Sequence, residues 1–145
     1  MKQEDKELLL RDLCSKLPYG TKGLCTEIST QKVYAIEGVC VYYRDVPIVH
    51  LRDQGLINMP IMYVRPYLFP LSSMTKEQKE ELENLGWYFD NFEIHNVSEC
   101  LGTYREYIAH SDCFALIDWL NKNHFDYRGL IEKSLALDAT SLNIY

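Results

Sequence analysis

The hydrophobic period of this chain changes twice, and a chain that does so needs both helices and strands. In residues 4–17, EDKELLLRDLCSKL, Leu9, Leu13 and Leu17 recur every four positions. Leu10 and Cys14 widen that stripe to one face of a helix. Glu4, Asp5 and Glu7 lie in its first turns, where the helix dipole favours negative charge. Pro18 ends the helix and Tyr19-Gly20 turns the chain.

Residues 21–71 follow a different rule. TKGLCTEI, KVYAIEGVCVYY, VPIVHL and PIMYVRPYLF are rich in Val, Ile, Tyr and Thr, and polar or glycine-containing breaks separate them. In the second, Val33, Ala35, Glu37 and Val39 share one face against Tyr34, Ile36 and Val41. Gly38 interrupts the alternation and predicts a bulge or bend. Pro47 and Pro66 lack the amide donor, which places them at edges or strand ends.

Helical signals then return. Thr75 and Gln78 have the spacing of a capping box, with Gly86 as the C-terminal stop of a helix over 76–85 that offers only Leu82 and Leu85 to a core. WYFDNFEI (87–94) is expected to be an added strand or hairpin turning at Asp90-Asn91. Beyond Ser98, three short stripes predict helices: Leu101, Tyr104 and Ile108; Cys113, Leu116, Ile117 and Leu120; and Leu130, Ile131, Leu135 and Leu137. TSLNIY ends the chain as a tail or short docking strand. The expected class is α+β in one domain spanning 1–145: an N-terminal helix, a small curled antiparallel sheet or SH3-like partly open barrel, and a helical C-terminal portion.

Composition narrows the function. Apolar residues make up 47% of the chain and charged residues 25%, the balance of a soluble globular protein. A net charge of −6 opposes the counterion release that drives binding to nucleic acid. Cys14, Cys25, Cys40, Cys100 and Cys113 show no CxxC pairing, which argues for free thiols and against zinc. All fall in apolar contexts, where a cysteine is expected to behave as a small buried hydrophobe. With no membrane-length apolar run and a charged N-terminus, a cytoplasmic protein with no membrane partner is expected.

The segment NHFDYRG looks like chemistry because His124, Asp126, Tyr127 and Arg128 stand within five positions. Each has a structural task available. Asp126 can cap a helix by accepting from the amides of Arg128 or Gly129, and Phe125 can anchor the turn in the core. His124, Tyr127 and Arg128 are therefore secondary binding candidates. No GxSxG, HExxH or phosphate-loop signature is present, and His50, His95 and His110 have no ligand partner at helix or hairpin spacing. No catalytic residue, metal site or cofactor is predicted.

The tyrosines are more informative. Eleven occur in 145 residues, and Tyr34, Tyr42, Tyr43, Tyr63 and Tyr67 concentrate in the predicted sheet beside Arg44, Arg52 and Arg65. Flat rings near guanidinium groups suit a planar or anionic ligand or an aromatic-rich partner. Tyr34, Tyr43, Arg44, Arg52, Tyr63, Arg65 and Tyr67 are the primary binding candidates.

LCSKLPYG (13–20), VRPYLFPLSSMTKEQKEEL (64–82) and DWLNKNHFDYRGLIEKSLAL (118–137) together resemble a family of small proteins from phages and other mobile elements of gut anaerobes. The match covers about a third of the chain, and the family carries no assigned activity. The resemblance implies a small accessory protein acting inside a bacterial cell. With the tyrosines, it sets the expected function: a non-enzymatic binding protein that sequesters a small nucleotide-like signal or a host defence factor. A nucleic-acid-binding accessory protein using the same sheet face is the alternative, and a homo-oligomer is among the expected states.

Overall fold

The N-terminal stripe forms α1 (Gln3–Lys16). Pro18 closes it in a short 3₁₀ turn, Leu17–Tyr19, and Gly20 at φ 74 supplies the left-handed exit. The computed structural model describes residues 1–28, 32–41, 46–90, 93–96 and 113–145. Strands β1 (Lys22–Cys25), β2 (Val33–Val41), β3 (Pro47–Arg52), β4 (Leu56–Pro60) and β5 (Val64–Leu68) follow. With β8 (Leu137–Asp138) they make a six-stranded sheet in the order β4-β3-β2-β1-β5-β8. The fold is α+β, with a mixed and open sheet: β8 runs parallel to β5 while every other pair is antiparallel. Of the two expected forms, a sheet or a partly open barrel, the sheet is the one that forms. Closure needs bonded edges, and here one edge is β4 and the other a two-residue strand from the end of the chain.

One face of the sheet carries the core. Tyr34 and Ile36 of β2, Val49 and Leu51 of β3, and Val64 and Leu68 of β5 cluster with Leu9 and Leu13 of α1. Burying side chains of this size contributes about 1.5–3 kcal/mol each. Glu37 is the extra residue of a bulge: Ile36 pairs with Leu51 and Gly38 with His50, so two steps along β2 match one along β3. The bulge reverses the expected parity. Val39, read from sequence as sharing a face with Val33 and Ala35, instead pairs with Val49 and packs on the core. Cys40 turns to the outer face.

Two proline readings separate. Pro47 opens β3, as a residue without an amide donor should. Pro66 lies in the middle of β5 rather than at a strand end, but β8 reaches only Tyr67 and Leu68.

A second cluster joins Met74, Leu82, Leu116, Leu120 and Phe125. It is built by α2 (Lys76–Asn84), the hairpin β6 (Trp87–Asp90) and β7 (Glu93–Asn96), and α3 (Cys113–Lys122). The Thr75–Gln78 capping box is formed in both directions, and Gly86 takes φ 83. Leu82 is fully buried and Leu85 partly so. Asn91, expected at a turn, and the stripe Leu101, Tyr104 and Ile108 lie outside the described residues.

The third C-terminal stripe is not a helix. Gly129 at φ 70 and Ser134 at φ 57 place two left-handed residues within it, and a right-handed helix cannot run through them. Leu130 and Leu135 still reach the core, from turns, and Leu137 enters β8. No helix among the described residues is long and apolar enough to cross a membrane.

Candidate functional site

The Tyr/Arg set is divided by the sheet rather than gathered on it. Tyr34 faces the core at 3% exposure, opposite Gly23 of β1, where it packs with Leu9 and Leu13. Tyr67 points to the outer face but is 7% exposed, and Tyr63 is half-buried in the turn before β5. Arg52 is exposed and holds Glu37 in a two-pronged ion pair, Nε to Oε1 at 2.7 Å and Nη2 to Oε2 at 2.6 Å. Its hydrogen bonds draw the Glu37 carboxyl below the usual carboxylate range. Arg65 bends back to donate from Nη1 to the carbonyls of Met62 (2.9 Å) and Val64 (3.0 Å). Burial lowers its pKa. Tyr43 and Arg44 lie outside the described residues.

Residues 124–128 form a junction that fastens three parts of the chain. The backbone of Phe69 receives from Asp126 and donates to His124, so the turn extends the end of β5. Phe125, 1% exposed, anchors the turn as its sequence context suggested. The Asp126 carboxylate accepts from the amides of Leu130 (2.9 Å) and Ile131 (2.7 Å), two positions beyond those expected, and orders turns instead of starting a helix.

Arg128 donates to the Tyr127 hydroxyl (2.8 Å), which donates to Asn121 (3.0 Å); Asn121 also accepts from Ser15 of α1 (3.2 Å). Beneath them, Asp12 and Lys16 of α1 form a fully buried ion pair, with Lys16 4.8 Å from the centre of the Tyr127 ring and Arg128 Nε 3.6 Å from Asp12. Burial pushes the Asp12 carboxyl up against the opposing pull of Lys16 and Arg128.

His124 is 5% exposed, takes φ 55 and stacks on Tyr145 with ring centres 3.8 Å apart. Burial, with the nearby Lys16 charge, lowers its pKa to about 4. Tyr145 fixes the tail as its hydroxyl donates to the Tyr67 carbonyl (2.8 Å) and accepts from the Lys22 amide (3.1 Å). Although the residue is 39% exposed, that hydroxyl end is enclosed, and burial pushes its pKa up to about 12.

On the outer face the tail leaves a cleft of about 570 Å³, lined by Leu24, Val33, Tyr67, Leu137, Asp138 and the tail residues 142–144. Of the described primary candidates, Tyr67 alone lines it.

Sequence reasoning missed a second feature of the outer face. Cys40 Sγ lies 3.0 Å from His50 Nε2, and His50 Nδ1 lies 2.6 Å from Asn58 Oδ1. The three residues come from β2, β3 and β4, too far apart in sequence to form a motif. Gly38 held the usable signal: a bulge there flips the strand parity and puts Cys40 on the His50 side. Nor are the cysteines uniformly buried as expected. Cys25 is buried, Cys40 is half-buried, and Cys14 and Cys113 are exposed. These four are free thiols, and Cys100 lies outside the described residues. Cys14 is exposed because α1 turns Asp12 and Lys16 inward beside Leu9 and Leu13. Among the described residues no three His, Cys, Asp or Glu side chains group to hold a metal ion.

Comparison with family models, curated proteins and solved structures found no match to this chain.

Proposed function

We propose that this chain is a binding protein for a small planar ligand, held in the cleft between the outer sheet face and the C-terminal tail. The observation that carries the reading is the cleft itself. Its volume of about 570 Å³ falls within the range of small-molecule sites. Leu24, Val33, Leu137 and Leu142 give it apolar walls, and Tyr67 adds an aromatic one.

Charge narrows the ligand. Among the described residues lining the cleft, the charged group is the Asp138 carboxylate, and neither Lys nor Arg is present. A phosphate would meet repulsion there, whereas a flat heterocycle bearing hydrogen-bond donors would meet an acceptor in Oδ2, Oδ1 being engaged by the amide (2.8 Å) and hydroxyl (2.6 Å) of Thr140. A nucleobase or nucleoside therefore fits better than a nucleotide. Capture of such a molecule also suits the sequestering role that the resemblance to mobile-element proteins implies. The nucleic-acid alternative is weaker, because Arg52 is engaged by Glu37 and Arg65 by backbone carbonyls.

Calorimetric titration with adenine, adenosine and adenosine monophosphate tests this reading. The base and nucleoside are expected to bind and the monophosphate to bind more weakly. Leu142→Asp, at a residue 43% exposed, puts a carboxylate into the cleft and should weaken binding about tenfold or more, equivalent to roughly 1.4 kcal/mol. Absence of binding by all three, or affinity untouched by Leu142→Asp, would refute the assignment.

A further inference from the structure

The geometry points to a second site: Cys40 is a base-assisted nucleophile that accepts acyl groups from small activated esters or thioesters, with His50 as its general base and Asn58 as the residue that positions the imidazole. It stands apart from the cleft and does not depend on it.

The fold assembles the three in steps. The Glu37 bulge sends Cys40 to the outer face, where its strand partner is Ile48 and His50 is a diagonal neighbour. His50 pairs with Gly38 on one side and Asn58 on the other. The glycine matters sterically. A Cβ at position 38 would come within 3.1 Å of His50 Cδ2, so a larger residue would push the ring out of its place over the strand. The ring then spans Cys40 at 3.0 Å and Asn58 at 2.6 Å.

The hydrogen bonds select the useful tautomer. With the Asn58 amide turned so that its carbonyl oxygen, which can only accept, faces the ring, Nδ1 carries the proton and Nε2 presents its lone pair to the thiol, whose other contact is the Ile48 carbonyl at 3.8 Å. This is the order of a nucleophile, a base within reach of its proton, and a group orienting the base.

The step balances without a further reagent. His50 Nε2 takes the proton from Sγ as sulfur attacks the acyl carbonyl carbon. The new C–S bond forms, the bond from that carbon to the ester oxygen or thioester sulfur breaks, and the imidazolium returns its proton to the leaving group. The product is a Cys40 thioester, which water can cleave with the same nitrogen as base. Activated donors are specified because their leaving groups need little assistance. The site is open: Asn58 is exposed and Cys40 and His50 are half-buried.

The protein carries its own controls, since Cys14 and Cys113 are exposed thiols outside this arrangement. Full-length protein would be treated with p-nitrophenyl acetate, following p-nitrophenolate release and mapping acetyl groups by peptide mass spectrometry. Acetylation is expected at Cys40 at least about tenfold faster than at Cys14 or Cys113. His50→Gln should slow the Cys40 reaction about 100-fold, the low end of what general-base assistance contributes. Asn58→Ala should slow it about tenfold, and Asn58→Asp, which still accepts from Nδ1, should restore it; support of the strands alone would not produce that rescue. Thermal melting of each variant shows whether the fold is kept. Equal acetylation of the three thiols, or an unchanged Cys40 rate in a folded His50→Gln protein, would overturn the proposal.

Discussion

Two groups of polar side chains in this molecule resemble chemistry, and they differ in what surrounds them. Asp12, Lys16, Asn121, Tyr127 and Arg128 lie between α1, α3 and the 124–128 turn, with Asp12 and Lys16 at 0% exposure. Cys40, His50 and Asn58 lie on the outer sheet face, within reach of water. The first group is bound into the fold from several sides: α1 supplies Asp12, Lys16 and Ser15, and Thr21 donates to the Lys16 carbonyl. The second is held by strand register and one glycine. A dense run of reactive residue types along the chain marked the buried group, while the accessible one was spread over nineteen positions, from 40 to 58. Density in sequence followed structural demand; accessibility followed topology.

The largest expected effect tests whether the first group is a closed structural unit. Asp12→Ala would leave the Lys16 ammonium buried without its counter-ion, and breaking a buried pair in this way costs about 3–5 kcal/mol. Replacing both partners, as Asp12→Leu with Lys16→Met, should recover part of that loss, because an apolar pair avoids desolvating two charges while Arg128, 3.6 Å from Asp12, still loses its carboxylate. Urea denaturation of the single and double variants measures both. A loss under about 1 kcal/mol in the single variant would mean that Lys16 escapes to solvent and the group is as open as the outer-face line.

Next comes the acid response of the same junction. His124 is neutral in the fold down to about 4, while the unfolded chain takes up a proton near its ordinary 6.5. Between those values the unfolded state binds more protons, so stability falls as pH drops from about 6.5 towards 4. At about 1.4 kcal/mol per pKa unit the loss is about 3 kcal/mol. Lys16 and Lys22 reinforce the shift and a hydrogen bond with the Tyr19 backbone opposes it. Asp12 acts in the other direction, since a raised carboxyl pKa favours the fold as pH falls. The test is therefore a difference. His124→Asn, which tolerates the left-handed backbone at φ 55, should abolish this part of the acid loss. An acid response identical in both proteins would detach His124 from the junction's stability.

Much of the architecture was readable because local rules and the final fold agree. The α1 stripe, the capping box at Thr75 and the bulge signalled by Gly38 each follow from residues within one turn or one strand. The mixed order of the sheet was not readable, because β8 joins β5 from some 70 positions away and runs parallel to it. The false third helix had the right apolar spacing, and its left-handed residues Gly129 and Ser134 leave no mark in a hydrophobic period. Among the site candidates, residue type named the Tyr/Arg set but not the sheet face each residue would occupy. That choice depends on cross-strand register, which one bulge inverts.

Thr75→Ala calibrates the middle of the scale. Its capping box is complete, with Gln78 N donating to Thr75 Oγ1 at 3.2 Å and Thr75 N donating to Gln78 Oε1 at 2.9 Å, on an exposed helix end. Loss of an N-cap costs about 1 kcal/mol. This gives a local, solvated hydrogen-bond unit against which both polar groups can be ranked. A melt unchanged within error would show that this end of α2 is frayed in solution.

The smallest expected effect separates the two groups most directly. If the Cys40–His50–Asn58 line were a structural brace, cutting it in the middle would leave the Asn58 carbonyl oxygen without its partner and Cys40 with only its long contact to the Ile48 carbonyl (3.8 Å), at about 1–3 kcal/mol for each group buried. Asn58 is exposed and Cys40 half-buried, so water can take the place of the imidazole at both ends. His50→Gln should therefore change stability by less than about 0.5 kcal/mol, the range of surface substitutions that break no buried feature. Urea denaturation at neutral pH measures it beside Asp12→Ala in the same experiment. A His50→Gln loss comparable to that of Asp12→Ala would make the outer-face line a second buried network and erase the difference between the regions. A near-zero change, with the Cys40 acetylation rate reduced, would show an arrangement that the fold can do without and the chemistry cannot.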